Sequence, residues 1–228
     1  MGLRPKLKIA LLGQGRMGTL VKALAKERGF QISEASYAKD LILTGCDICI
    51  DFSHASEVPV VVKKCIEESV SLVIGSTGWE EHFEAVKSQM EESRIGCVYS
   101  ANYSVGIFLL EHALSSLARL LDKMPKPAYE TAISEMHHSK KVDAPSGTAL
   151  QLANYLKIPL KNIVSTRCGT LPGTHTVLMD SSDDTLELTH RAKNRSCFAE
   201  GALFAAELIK DKQGFYTFKE LLREAYAL

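Results

Sequence analysis

The chain has 228 residues, of which 46% are hydrophobic and 24% charged, an ordinary balance for a soluble globular protein of one large or two small domains. Its 27 basic and 27 acidic side chains cancel, which argues against a general nucleic-acid binder. No apolar run approaches the roughly 18 residues of a membrane-spanning helix, and Met1–Lys8 passes within a few residues into a strand-like segment, so no signal or transit peptide is expected.

Lys8-Ile-Ala-Leu-Leu is a short apolar run bounded by glycine, which predicts a buried parallel strand. Gly13 to Gly18 form a turn. Thr19 to Arg28 predict a helix that Gly29 stops. Strands are expected over Phe30–Ala35, Asp47–Phe52, Ser71–Gly75 and Ile95–Ser100. Ser53 and Ser56 can each cap the helix after the second of these, and Pro59 is tolerated in its first turn. His82–Glu92 predicts a further helix. Strand and helix alternate from Leu7 to Ser100, the pattern of a doubly wound parallel α/β sheet.

After Gly106 the rhythm changes. Ile107–Leu121 predicts one long helix, which Met124-Pro-Lys-Pro breaks. Tyr129–Met136 is expected as a strand leading into a loop with two adjacent histidines. Ala149–Leu156 predicts a helix. His175–Met179 and Thr185–His190 suggest antiparallel strands joined by the polar turn Asp180–Asp184. Phe198–Ile209 predicts an apolar return helix. The expected organisation is a dinucleotide-binding domain over residues 1–105 plus 196–228, with an inserted α+β domain over 106–195. The six cysteines (Cys46, Cys49, Cys65, Cys97, Cys168 and Cys197) are scattered and read as buried thiols of a reducing, cytoplasmic compartment. Cys46-x-x-Cys49 lies on a strand, whereas a redox pair belongs at a helix start, and no second pair completes a zinc site.

Two segments carry chemistry. Gly13-Gln14-Gly15-Arg16-Met17-Gly18 is a G-x-G-x-x-G directly after a strand and before a helix. In that context the first glycine makes the turn, the second admits a pyrophosphate, and the third lets helix pack on strand. Glu34, 21 residues beyond Gly13, is either the acid on the adenosine ribose or a solvated glutamate. Arg16 either pairs with a phosphate or is solvated.

The second segment runs Glu135-Met-His137-His138-Ser-Lys-Lys141-Val-Asp143-Ala-Pro145-Ser146-Gly147-Thr148-Ala149. Adjacent histidines point in different directions and chelate poorly, so no metal is expected there. Proton transfer and anion binding suit them better. Lys141 adds a cation. Ser146 suits a helix cap, and the N–H groups of Gly147 and Thr148 then point outward as an anion site. Arg195, just before the return helix, can reach a carboxylate bidentately. The competing reading is a basic surface loop before an ordinary capped helix.

This second segment resembles the catalytic signature of the dihydrodipicolinate reductase family. Supporting matches are Gly15-Arg16-Met17-Gly18, Asp51-Phe52-Ser53, Gly75-Ser76-Thr77-Gly78, Ala101-Asn102-Tyr103-Ser104-Val105-Gly106 and the His190–Ala202 segment, all in the family's order. The resemblance implies a Rossmann-like domain built from both chain ends, an inserted substrate and oligomerisation domain, and a homotetramer. It also implies hydride transfer from NADH or NADPH to C4 of a cyclic unsaturated dicarboxylate with loss of water, a step of lysine and diaminopimelate biosynthesis. His137 is then the proton donor, assisted by Lys141, which also binds a substrate carboxylate. His138, Ser146, Gly147, Thr148, Thr77 and Arg195 line the dicarboxylate site. Gly13, Gln14, Gly15, Arg16, Met17, Gly18, Glu34, Gly75, Thr77 and Asn102 line the cofactor site.

The chain departs from the family pattern in three places. The first turn is one residue tighter than G-x-x-G-R-M-G, the 30–46 region is trimmed by about a strand–helix unit, and Ser76 replaces a threonine. The alternatives are another Rossmann oxidoreductase of a small amino or dicarboxylic acid, and a non-catalytic dinucleotide-sensing protein. The first lacks the His-His-x-x-Lys loop. The second needs no proton donor.

Overall fold

A computed structural model of the chain describes residues 6–124 and 129–228. The proline pair expected to end the long helix lies outside the described residues. The described chain divides into two compact units. One is the chain up to Tyr103 together with Ser196–Leu228, and the other is Ser104–Arg195.

The first unit is a six-stranded parallel sheet. Its strands are β1 (Lys8–Leu12), β2 (Gln31–Ala35), β3 (Ile48–Asp51), β4 (Ser71–Ile74), β5 (Gly96–Tyr99) and β10 (Gly214–Thr217), in the order β10-β5-β4-β3-β1-β2. β3 and β4 are buried at every position, as the unbroken runs Ile-Cys-Ile-Asp and Ser-Leu-Val-Ile require of strands covered on both faces. The helices of this unit are α1 (Arg16–Glu27), α2 (Val58–Glu67), α3 (Phe83–Glu92), α6 (Ser196–Ile209) and α7 (Phe218–Tyr226). Val58, Val61, Val62 and Cys65 of α2 and Val86 and Met90 of α3 join Leu12, Cys49, Leu72 and Ile74 in one buried cluster. α1 and α6 pack on each other, and α6 lies against β3, β4 and β5.

Between β2 and β3 there is only a 3-10 turn, Ala38–Asp40, and β2 forms the sheet edge. The trimmed 30–46 segment therefore leaves out the strand that a doubly wound sheet places beyond this one.

The second unit has a mixed four-stranded sheet in the order β7-β6-β8-β9, with β6 (Glu130–His137), β7 (Ile163–Arg167), β8 (Thr174–Asp180) and β9 (Thr185–Arg191). β8 and β9 form the expected antiparallel hairpin. β6 is antiparallel to β8 and parallel to β7. α4 (Val105–Leu121) and α5 (Gly147–Leu156) contribute Leu110, Leu114, Ala149, Leu152 and Ala153 to a core with Ile133 and Val177 of the sheet.

Several expectations are corrected. β7, β10 and α7 are elements beyond those expected from the sequence. Neither Ser53 nor Ser56 caps α2: a 3-10 turn, Ala55–Glu57, precedes it, and its N-cap residue is Glu57. α4 begins at Val105 and not Ile107, because the Ser104 hydroxyl accepts the Ile107 N–H. Of the six thiols only Cys49, Cys65 and Cys97 are buried. Cys46 and Cys197 are half-buried, and Cys168 is exposed. No helix among the described residues is long and apolar enough to cross a membrane.

Candidate active site

In the first unit the glycine turn joins β1 to α1. Gly13 has φ of +98°, and a Cβ there would lie 2.3 Å from the Phe52 carbonyl oxygen. Its N–H donates to the Ala35 carbonyl at the end of β2 (3.0 Å). A Cβ on Gly18 would lie 1.9 Å from the Gly13 carbonyl oxygen, whereas one on Gly15 meets nothing within 4 Å. α1 starts at Arg16, three residues before the expected Thr19, so Gly18 is a packing residue inside the helix. Gly15 is its N-cap residue, with no side-chain cap and no acid in the first turn. The turn thus combines a tight bend, an open approach and close helix packing, which fits a dinucleotide pyrophosphate at a helix N-terminus. Gln14 and Arg16 are exposed around the opening, and Met17 is half-buried.

These contacts separate the glycines by experiment. Gly18→Ala should cost about 1–3 kcal/mol of stability, the ordinary range for overpacking. Gly15→Ala meets no obstruction and should cost no more than about 1 kcal/mol, the usual worth of a favourable N-cap residue over alanine. Denaturant unfolding checks both, and an unchanged midpoint for Gly18→Ala would contradict the packing role.

The remaining first-unit residues lie at or beyond the C-terminal ends of the parallel strands, where open α/β sheets bind ligands. Glu34 sits on exposed β2, one residue before Ala35, paired with Lys22 of α1 at 2.7 Å. Gly75 follows β4 and lies under the Phe52 ring, which a Cβ would approach to 2.1 Å. Thr77 is exposed beside it. The buried Asp51 carboxylate accepts the Ser53 N–H (2.8 Å) and the Ser76 hydroxyl (3.2 Å). Burial pushes its pKa up, and these hydrogen bonds hold it partly back. Asp51 therefore ties the loop after β3 to the loop after β4. Asn102 follows β5, where its N–H donates to the Ser100 hydroxyl and its carbonyl accepts from it (3.1 and 2.7 Å).

In the second unit, strand alternation puts Ile133, Glu135 and His137 on the buried face of β6. His137 thus belongs to the strand and not to the loop. Glu135 is fully buried, directly across from His175 on β8. One carboxylate oxygen takes His137 Nδ1. The other accepts Arg167 Nη2 of β7 (2.8 Å) and the Ser146 N–H (3.2 Å). Burial alone would raise the Glu135 pKa, but hydrogen bonds led by Arg167 outweigh it and bring it down to about 2. Burial lowers the His137 pKa, while Glu135 pulls it back up and Lys141 and Arg167 add to the fall. His175, its Nε2 3.1 Å from the Ser146 hydroxyl, is driven to about 4 by burial and by the neighbouring His137. It is a neutral imidazole at neutral pH.

His138 leaves the strand and is half-buried, and its carbonyl accepts the Lys141 N–H (3.1 Å). Ser146 caps α5 as expected, accepting the Ala149 N–H (3.2 Å). The outward anion site is corrected in one respect. The Asp143 carboxylate bonds to Lys141 Nζ (2.7 Å) and to the Gly147 N–H, which hold its pKa low, so one chain carboxylate already sits among these donors. Thr148 lies half-buried in the first turn of α5, and Arg195 in the turn before α6. His190 is held by the Ser104 hydroxyl (3.2 Å) and packs on Gly106. The structure therefore gathers His137 and Ser146 around Glu135, sets Lys141 and Gly147 on Asp143, and brings Gly13 and Gly75 against Phe52, while Gly18 packs on Gly13.

Three residues of the histidine cluster are not marked as functional by local sequence pattern: Glu135, Arg167 and His175. The alternation that buries Ile133 was the signal for Glu135. Ligand atoms of Glu135, His137 and His175 lie within 4.8 Å of one another, a spacing open to a metal ion. Both Glu135 oxygens are already engaged by Arg167, Ser146 and His137, however, so the cluster has the chemistry of a hydrogen-bonded proton site.

Family models for the N-terminus and the C-terminus of dihydrodipicolinate reductase match residues 7–103 and 106–222. A 4-hydroxy-tetrahydrodipicolinate reductase of Christiangramia forsetii is 32% identical over 96% of this chain and 99% of its own length. The enzyme of that name from Thermosipho africanus is 38% identical over 79% and 80%. A dipicolinate-bound dihydrodipicolinate reductase from Paenisporosarcina sp. TG-14 shares the fold, with a TM-score of 0.74 over 93% of this chain and 97% of that one, at 21% identity. Both halves of one family are matched in order across nearly the whole length, and the chain belongs to the dihydrodipicolinate reductase family.

Proposed function

We propose that the protein reduces 4-hydroxy-tetrahydrodipicolinate to tetrahydrodipicolinate with NADH or NADPH. One observation carries this reading: a buried Glu135–His137 pair stands beside Lys141 and the N-terminus of α5. An acid and an anion-holding set share one place, in a chain whose other motif suits a dinucleotide. The nicotinamide cofactor, when bound at the glycine turn, supplies the hydride. Gly15 and the uncapped start of α1 hold its pyrophosphate, with Gly13, Gln14, Arg16, Met17, Gly18, Gly75, Thr77 and Asn102 around it. Lys141 and Arg195 hold the two carboxylates with His138, Ser146, Gly147 and Thr148, and substrate takes the place of Asp143 at Lys141.

His137 gives the proton that balances the hydride, and the C4 hydroxyl leaves as water. Nδ1 is committed to Glu135, so Nε2 is the donating atom. Gly173 leaves room there: a Cβ at that position would lie 3.0 Å from Nε2. Burial makes the imidazolium a stronger acid than a free one.

Both cofactors should support turnover, with less than about a hundredfold difference in kcat/KM, or about 2.7 kcal/mol. Strong NADH preference needs an unshielded acid on the ribose 2′-hydroxyl, whereas Glu34 shares its charge with Lys22. Strong NADPH preference needs a committed basic pocket, and Arg16 with Lys39 offers only scattered charge. Steady-state kinetics with each cofactor tests the reading, and a preference above about a thousandfold would contradict it. The active form we propose is a cytoplasmic homotetramer of lysine and diaminopimelate biosynthesis. Light scattering should give four times the 25.0 kDa chain mass, and a monomer mass would contradict it.

A further inference from the structure

Glu135 is a carboxylate with no exposed surface on a face otherwise built for packing, next to Ile133 and across from His175. For stability alone, an apolar side chain would serve there at least as well, because burying an ion pair costs the desolvation of both charges. The surroundings hold the carboxylate in one place. Arg167 of β7 and the Ser146 N–H at the start of α5 take one oxygen (2.8 and 3.2 Å), which aims the other at His137 Nδ1. The ionisable groups facing His137 are Glu135 on its own strand, Lys141 in the following loop, Arg167 on β7 and His175 on β8. Lys141 and Arg167 oppose a positive charge on His137, and His175 brings only a neutral ring edge-on at 5.1 Å between centroids. Glu135 is the group of this set that favours it.

We propose that Glu135, clamped by Arg167, is the positioning residue for His137: it fixes the ring so that Nε2 gives the proton, and it sustains the imidazolium until the proton leaves. This rests on the reading of His137 as the proton donor. An imidazole whose Nδ1–H is held by a carboxylate is fixed in tautomer and orientation, so its Nε2 is always the atom presented. Arg167 acts one step further out. It keeps Glu135 ionised and stops the carboxylate from turning away.

The test compares the parent with Glu135→Gln, His137→Gln and the double variant, using saturating dinucleotide and varied substrate. Glu135→Gln should lower kcat by at least about tenfold, less than the about 10²–10⁴-fold expected for loss of the acid itself. The dinucleotide Kd, read by fluorescence titration, should not move. Removing the anion makes the imidazolium a stronger acid, so the limb on which kcat/KM falls with rising pH should shift to lower pH. In the His137→Gln background the same change should add less than about twofold, because Glu135 then has no ring to position. A shift of the pH limb is a readout that a purely structural role would not give.

Glu135→Asp is the second variant, in case the amide does not fold. It keeps a charge for Arg167 but withdraws the carboxylate by one methylene, and NMR titration of its His137 ring should show a lowered pKa. Parent-like kcat and an unmoved pH limb in Glu135→Gln would overturn the proposal. So would equal losses in both backgrounds, or an unchanged ring titration in Glu135→Asp. If His137→Gln instead turned over like the parent, the proton-donor reading itself would fail and this one with it, which distinguishes the two failures.

Discussion

Replacing His137 with glutamine should lower kcat about 10²–10⁴-fold, the usual worth of a positioned general acid. Glutamine is the informative replacement. Its amide N–H can still donate to the Glu135 carboxylate, so the buried charge keeps a partner, where alanine would leave it short of one. Folding should survive, since Ile133, Val177, Ala149 and Leu152 around the strand are untouched. Dinucleotide affinity should also hold, because the glycine turn belongs to the other unit. Single-turnover rates at saturating cofactor, with fluorescence titration of the dinucleotide, measure the two separately. A parent-like kcat would remove His137 from the chemistry.

The second large effect is expected on dicarboxylate binding. Lys141→Ala and Arg195→Ala should each weaken pyridine-2,6-dicarboxylate, by about 2–5 kcal/mol where the ion pair formed is fully desolvated. Lys141 should fall toward the lower end. Its side chain is 24% exposed and already paired with Asp143, so the inhibitor replaces one carboxylate with another. Asp143→Asn in the Lys141→Ala background should recover part of the loss by removing a negative charge from the anion site. Titration calorimetry reads all three, and parent-like affinity in both single variants would rule out a substrate role for these cations.

The parallel sheet was legible because its inner strands carry unbroken apolar runs. β1, β3, β4 and β5 fall within two residues of the expected bounds at each end. The second sheet was less legible. β7, Ile163–Arg167, alternates half-buried and exposed positions, so no face stands out. In the first sheet the edge strand Gly214–Thr217 was also missed: it is only four residues long, half-buried throughout, and becomes a strand only by pairing with β5. Helix starts shifted for a local reason: Gly15 and Ser104 act as N-cap residues directly against residues assigned to the preceding turns. In the candidate site, the adjacent histidines and Lys141 stood out as charge clusters. Glu135 did not, because a buried acid has the same letter as a solvated one. Arg167 reaches it only through strand pairing 32 residues away, a neighbourhood that local pattern does not encode.

One measurement bears most directly on the proposed reaction: NADH and NADPH oxidation with freshly generated 4-hydroxy-tetrahydrodipicolinate, followed in parent and His137→Gln protein. Expected are substrate-dependent oxidation of both cofactors by the parent and its near-loss in the variant, with dinucleotide binding equal in the two. Tight dinucleotide binding without substrate-dependent oxidation by the parent would contradict the reductase reading and favour a protein that senses the dinucleotide without turning it over.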